Sequence, residues 1–516
     1  MPDPKPPSTI RPISVPIFAI TWHTSPSLLP KHIYACSGGG GSAKTGVNNF
    51  IEVVIQSPTS GEKTIKIDTG DDVAVALDAY SFVSDEETKE VWILLAVGVQ
   101  DLVKVYRILV PNDEMGVTDD NGTNNNNDDV KMVGSLDFGK DFMTNTVTFD
   151  ALGGRIAVGG ENGSVCVCRA NWDEGDTDLL TIEKEREFNG QRIKGICKVT
   201  FHPKNPNILL SSAKDATCRV WDLSKPPENQ CLDTLQCKIY DPKDVQKNKK
   251  LPKKILNPAP GQCLVKGCVF ADIQGQYIFT IQSGRRGKSF LSVWRIVRVP
   301  VRPERDGPNG PGEGNRTSQQ PPQQSQQQQQ PPSYRLAFQE QTRICVADFP
   351  ISAVSLSGDF KTLALGDTNG SVILLDAETF KRIKYWECIH DLPITSLAAR
   401  PLPLPLAGED KTGVAIDAIC SSADSKMCFL TRQKRSTLKR TRKQGQGGGG
   451  NLGFFFTLLL ILFWMFLVAK VSYDICKEDF VDVGSFGDFQ NVIDECVVQT
   501  IWWAPQDRPG ISSVPI

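Results

Sequence analysis

ILLSSAKDATCRVWDL, residues 208–223, decides how this chain is read. A β-forming run is followed by a short turn of small and charged residues, then by a second β-forming run that closes on Trp221-Asp222. His202-Pro203 stands just ahead of it. Apolar runs this short, bounded by turn residues, read as strands. A second clear copy is TLALGDTNGSVILLDAETFKRI at 362–383. Weaker copies are RIAVGGENGSVCVCRA at 155–170, YIFTIQSGRRGKSFLSVWRI at 277–296 and ILLAVGVQDLVKVYRI at 93–108. The outermost are HIYACSGGGGSAKTGVNNFIEVVI at 32–55 and AICSSADSKMCFLTR at 418–432.

These are seven units, with Gly38, Gly98, Gly159, Ser212, Gly284, Gly366 and Ser422 at equivalent points. Their spacing exceeds the ~40–45 residues of a simple propeller repeat. Three low-complexity inserts account for the excess: the Asn/Asp-rich 111–129, the Lys-rich 240–256 and the Pro/Gln-rich 303–333. Such segments have too little apolar surface to fold alone. A four-stranded sheet has two apolar faces and open edges, and radial packing of blades buries both faces. Glu161-Asn162-Gly163 and Thr368-Asn369-Gly370 supply the positive-φ turns that each blade needs. The pattern resembles a diverged WD-repeat propeller, which implies an all-β, seven-bladed β-propeller over residues 1–431, preferred to eight blades or a split ring. Ring closure is expected to use the orphan strand FAITW at 18–22, joined to the last blade around 393–431.

Composition narrows the chemistry. A formal net charge of -2 gives no basic field for nucleic acid. The 43 glycines and 34 prolines suit many tight turns. The 15 cysteines contain no CxxC pair. Cys166 and Cys168, two apart on a strand, share one face and read as core packing rather than a metal site. The four histidines, His23, His32, His202 and His390, form no recognisable triad or metal set, so each reads as structural or solvated. An enzyme acting on a small-molecule substrate is not expected.

GFFFTLLLILFWMFLVA, residues 453–469, is the only long uncharged run that is apolar almost throughout. It reads as one transmembrane helix. At ~1.5 Å per residue it spans about 25 Å, close to the ~27 Å core of an endoplasmic-reticulum bilayer. Upstream, in a basic and Gly-rich linker at 432–452, lie Arg432, Lys434, Arg435, Lys439, Arg440, Arg442 and Lys443. Acids dominate the tail at 470–516. The positive-inside rule therefore places the propeller in the cytoplasm and the tail in the lumen. Cys476 and Cys496 of the tail are available to pair in an oxidising lumen. MPDPKPP at the start has no apolar core, so no cleavable signal peptide is expected.

The segment Gly38-Gly39-Gly40-Gly41-Ser42-Ala43-Lys44-Thr45-Gly46-Val47-Asn48-Asn49 invites a phosphate-loop reading. Ala43 stands where that motif needs glycine, and the β-branched FIEVVI follows where a helix should. Four consecutive glycines exceed what a simple turn requires. They suggest close backbone approach, carbonyls turned to an ion, or a protrusion that inserts into a partner.

A GGGGSAKTGVNN loop in the first blade of a propeller, with a C-terminal anchor, resembles the ER-membrane guanine-nucleotide exchange factors of the COPII Sar-type GTPase, the prolactin regulatory element-binding protein-like family. The resemblance implies a single-pass type II protein of the ER membrane that activates a Sar-type small GTPase. It implies that Gly38, Gly39, Gly40, Gly41, Ser42, Ala43, Lys44, Thr45, Gly46 and Asn48 form a GTPase-binding loop, and that backbone oxygens of that loop hold a potassium ion. Val47, where the animal pattern carries isoleucine, would be the apolar tip that presses on the GTPase. Asn49 would fix the loop. Exchange needs no covalent chemistry: a factor that favours the nucleotide-free GTPase must weaken nucleotide binding by the same factor. An ER-resident adaptor or export chaperone without exchange activity is the alternative. A transcriptional role fits poorly with the near-neutral charge and the apolar helix.

Overall fold

The computed structural model describes residues 8–24, 32–41, 46–57, 61–83, 91–110, 129–173, 176–188, 195–227, 230–240, 263–284, 287–300, 334–401 and 416–431. The chain divides into two units, Met1–Ser436 and Thr437–Ile516, and every described residue belongs to the first. The basic linker at 432–452, the apolar run at 453–469 and the tail at 470–516 lie outside the described residues, as do 111–128, 241–256 and 303–333 of the inserts. Among the described residues no helix is long and apolar enough to cross a membrane.

Seven four-stranded antiparallel sheets make the structure. Blade one is β2 (Ile17–Thr24), β3 (His32–Gly38), β4 (Asn49–Ser57) and β5 (Gly61–Gly70). Blade two is β6 (Ala76–Val83), β7 (Val91–Val99), β8 (Leu102–Val110) and β9 (Val130–Asp137). Blade three runs from β10 (Thr144–Phe149) through β11 (Arg155–Gly160) and β12 (Val165–Asp173) to β13 (Asp176–Phe188). Blade four comprises β14 (Ile196–Phe201), β15 (Ile208–Ala213), β16 (Thr217–Asp222) and β17 (Cys231–Gln236). Blade five has β18 (Cys263–Phe270), β19 (Tyr277–Gly284), β20 (Ser289–Pro300) and β21 (Tyr334–Ala347). Blade six has β22 (Ile351–Leu356), β23 (Thr362–Asp367), β24 (Val372–Asp376) and β25 (Arg382–Trp386). Blade seven joins β26 (Ile394–Ala399), β27 (Ile416–Ser422) and β28 (Lys426–Thr431) to β1 (Ser8–Pro12).

Closure therefore departs from the sequence expectation. The strand that completes the last blade is β1, whose Ile10 pairs with Cys428, while residues 18–22 form the innermost strand of blade one. The physical reason lies in side-chain character. An inner strand is covered on both sides, and Ile17, Ala19, Ile20 and Trp22 are buried. An outer strand keeps one side in water, and β1 reads STIRP with Ile10 half exposed. The apolar stretch looked like a missing strand; the polar one, which carried little β signal, is the clasp.

The core is not central. Seven apolar clusters each lie between two neighbouring blades, so every blade is stabilised by the next. Second strands are packed on both faces, as the burial of Ile93 through Val97 in β7 illustrates. Outer strands alternate: in β5, Ile65, Ile67 and Thr69 point inward while Lys66 and Asp68 meet solvent. Charged outward positions on these edges disfavour pairing with other chains.

Three of the recurring small residues now have a cause. A Cβ on Gly98 would lie 2.4 Å from Thr144, one on Gly159 2.5 Å from Ile196, and one on Gly366 2.6 Å from Ile394. In each case the obstacle is the first residue of the next blade, so the glycine marks where adjacent blades touch. Six of the seven first strands also carry a register shift, five of them opposite this point and that of β18 opposite Gln282 and Ile281; β6 is regular. Such bulges increase local twist and bend the strand. The first strands line a channel of about 510 Å³.

Strand alternation sorts the connections between two faces. Links between second and third strands, and links between blades, open on one face. The remaining links, and the end of β28 at Thr431, open on the other.

Candidate functional site

The glycine-rich segment is the connection between β3 and β4, residues 39–48. It is the longest of the links between second and third strands; its counterpart between β7 and β8 is Gln100-Asp101 alone. A strand follows it, with Phe50 opposite Gly38, so the helix that a phosphate loop requires is not there. Ser42, Ala43, Lys44 and Thr45 lie outside the described residues.

Both stems of the loop are built by specific contacts. Gly38 is buried, and a Cβ there would stand 2.6 Å from the Pro16 carbonyl oxygen and 2.7 Å from Val15. The Gly39 N–H donates to Pro16 O at 3.2 Å. Gly39 has φ 151°, and a Cβ would meet Asn49 Oδ1 at 2.1 Å and Asn49 Cα at 2.6 Å. That backbone can pass so close to Asn49 only as glycine. Gly41 and Gly46 have φ 68° and 75° with open space around them, so there the demand is conformational.

Asn49 ties the two stems together. It is 3% exposed, the first residue of β4, and its register partner is Gly70. The Gly41 N–H donates to Asn49 Oδ1 at 2.9 Å. Asn49 Nδ2 donates to Gly70 O at 3.1 Å and to Gly41 O at 3.4 Å. One carboxamide thus holds the rising stem of the loop against the end of β5. Beneath it, Ser37 Oγ donates to Ala74 O at 2.7 Å, joining β3 to the link with blade two. Beyond this clamp the chain is exposed. Gly46, Val47 and Asn48 face solvent, and Val47 is 38% exposed. Val75, on the β5–β6 link that opens on the same face, is exposed to the same degree and was not foreseen. A lone valine in a loop linker carries no periodic signal by which sequence could single it out.

What is described of the loop is a clamped, glycine-rich stem with an exposed valine, Val47, just before Asn49. No acid–base pair forms part of what is described of it. Its carbonyl oxygens are the donors that could face an ion. Elsewhere, Cys166 and Cys168 are buried in the cluster between blades two and three, and burial pushes both thiols up to about 12. His23 Nε2 lies 2.7 Å from Ser81 Oγ, across blades one and two. His202 Nδ1 accepts from the Lys204 and Asn205 N–H groups, both at 3.0 Å, which fixes a turn. His390 differs: it is buried beside Asp424 and two cysteines, a grouping the sequence reading did not make.

No family model matches the chain. Human coronin-7 is 36% identical over 86 residues, which is 17% of this chain and 9% of the relative. Coronin-7 of Pongo abelii is 35% identical over 86 residues, again 17% and 9%. The matched stretch therefore spans less than a tenth of either relative and amounts to a distant WD-repeat similarity. Among solved structures, Raptor of Chaetomium thermophilum aligns with a TM-score of 0.48 at 12% identity, covering 83% of this chain and 28% of that one. The seven-bladed propeller rests on the strand pairing itself.

Proposed function

We propose that this chain is a guanine-nucleotide exchange factor for a Sar-type small GTPase, anchored in the ER membrane by residues 453–469, and that it starts COPII vesicle formation. The observation that carries the reading is the blade-one loop: a glycine-rich stem clamped by Asn49, with Val47 exposed beyond it. A protrusion held in shape before contact loses little entropy on binding. It can compete with the elements of a GTPase that hold phosphate, which weakens bound GDP by linkage. Potassium held by the loop's backbone oxygens would reduce the remaining freedom of residues 40–46. An anchor would release the GTP-loaded product beside the bilayer it must enter.

The test is GDP release from a purified Sar-type GTPase, with and without residues 1–431, which include the whole closed ring. The wild-type fragment is expected to accelerate release. Val47→Asp, which puts a charge on the apolar tip, should abolish that acceleration, and sodium in place of potassium should reduce it. Unchanged release with the wild-type fragment would refute the exchange reading and favour an adaptor.

A further inference from the structure

Two thiols and an imidazole meet in blade seven. His390 lies on the link between β25 and β26, Cys420 on β27 and Cys428 on β28. His390 is 1% exposed, and both cysteines are fully buried. Their ligand atoms all lie within 4.8 Å of one another, and Cys420 Sγ stands 3.4 Å from His390 Nε2. A zinc ion with bonds of ~2.3 Å to sulfur and ~2.0–2.1 Å to nitrogen sets its donors about 3.5–3.8 Å apart.

The imidazole is also oriented. His390 Nδ1 lies 2.9 and 3.1 Å from the two oxygens of Asp424. That carboxylate is fixed in turn by the Asp391 N–H at 3.0 Å and the Lys426 N–H at 3.2 Å. A histidine that donates from Nδ1 to a carboxylate turns its Nε2 lone pair toward the sulfurs, the arrangement found behind metal-bound histidines.

Other blades show what the same place looks like when it serves structure alone. In blade four Ser211 stands opposite Arg219 and accepts from Trp221 Nε1 at 2.7 Å. In blade five Thr280 stands opposite Ser292 and accepts from Trp294 Nε1 at 2.9 Å. In blade seven the corresponding pair is Cys420 opposite Cys428, and Leu430 replaces the tryptophan. A hydrogen-bond chain needs one hydroxyl; blade seven supplies two thiols.

We propose that His390, Cys420 and Cys428 bind one divalent, thiophilic metal ion of the zinc class. Two thiolates, a neutral imidazole and a divalent ion sum to zero charge, whereas a monovalent ion would leave a net negative charge in a dry site. All three donors are buried away from water, and their spacing and the Asp424-oriented imidazole already favour a shared ligand. Binding would displace the thiol protons, because the thiolate is the form that ligates metal. Three side-chain donors leave the fourth tetrahedral position to water. The ion would staple the link from blade six to both strands of blade seven, one of which pairs with the clasp β1.

The experiment uses the full chain, purified in detergent, exposed to zinc, passed over chelating resin and analysed for metal by mass spectrometry. About one zinc per wild-type chain is expected. The Cys420→Ser/Cys428→Ser double variant should hold none, and Asp424→Asn should bind 10–100-fold more weakly. Cobalt titration of the wild type guards against misfolding of the variants; a thiolate-to-cobalt charge-transfer band saturating at one equivalent is expected. A wild type with neither metal nor that band overturns the proposal. So does a Cys420–Cys428 disulfide in freshly purified protein, or a folded double variant that retains the wild-type zinc content.

Discussion

Asn49→Ala is the sharpest perturbation of the glycine-rich loop, because the side chain does one thing. It accepts from the Gly41 N–H and donates to the Gly70 and Gly41 carbonyls, so the variant loses the bonds at 2.9 and 3.1 Å and the weaker one at 3.4 Å. Each ordinary hydrogen bond contributes a net ~0.5–1.5 kcal/mol. Water can reach Gly70, which is exposed, but the half-buried Gly41 N–H regains less. The clamped conformation should therefore lose about 2 kcal/mol relative to open ones, roughly a 30-fold fall in the ratio of clamped to open forms. If exchange uses that conformation, GDP release at sub-saturating propeller should slow by up to about 30-fold. The ladder from Phe50 to Ser57 against β5 is untouched, so the urea midpoint should hardly move. Stopped-flow release of a fluorescent GDP analogue gives the rate, and urea unfolding monitored by tryptophan fluorescence gives the stability. An Asn49→Ala protein that exchanges at the wild-type rate would show that the clamp is irrelevant. Slow exchange with equal loss of stability would show a fold defect instead.

Gly39→Ala should mimic that variant by a different route, since the added Cβ would stand 2.1 Å from Asn49 Oδ1 at a strained φ; a folded variant with normal exchange would refute the steric argument. Arg11→Ala should open the clasp. Arg11 bonds Glu52 at 2.9 Å, Glu62 at 3.0 Å and the Tyr34 hydroxyl at 2.7 Å, and its loss leaves the nearly buried Glu52 with only Lys66 at 3.9 Å. A loss of about 2 kcal/mol is expected, read as a lower melting temperature and faster proteolysis at the N-terminus; neither change would mean that the clasp is held by its ladder alone. Acid should weaken the fold partly through His23, whose burial lowers it from 6.5 to about 4. The unfolded chain then binds more protons between those values, so stability falls as pH drops from 6.5 toward 4. His23→Gln should flatten that part of the urea-midpoint profile, and an unaltered slope would exclude the assignment.

Much of the ring was legible because a propeller writes its repeat locally. Outside blade one the second and third strands are joined by short turns, so VGGENGSV or LGDTNGSV shows strand, turn and strand within one window. The landmark glycines were visible as a pattern before their cause was. Gly98, Gly159 and Gly366 are small because the next blade begins against them, a contact across tens of residues that no local window contains. The clasp failed for the same reason. Its partner lies more than 400 residues away, and an outer strand such as STIRP needs little apolar character. The loop stood out through composition, yet Asn49's grip on Gly70 depends on register between β4 and β5. His390, Cys420 and Cys428 escape a reading of ligand spacing along the chain, because the topology brings together an inter-blade link and two strands of blade seven.

Pairing of residues 8–12 with 426–430 has a consequence for biosynthesis. The strand at 8–12 is made long before its partner at 426–430, so six blades can stack while the ring stays open and two raw edges remain unpaired. Until Thr431 has emerged, the N-terminal strand has nowhere to go and is free for any holding factor to occupy. A ribosome that stalls within blade seven would release a sticky arc, whereas a stall after it would release a finished ring. Quality control therefore has a natural checkpoint at the very point where translation passes from the last strand to the basic linker.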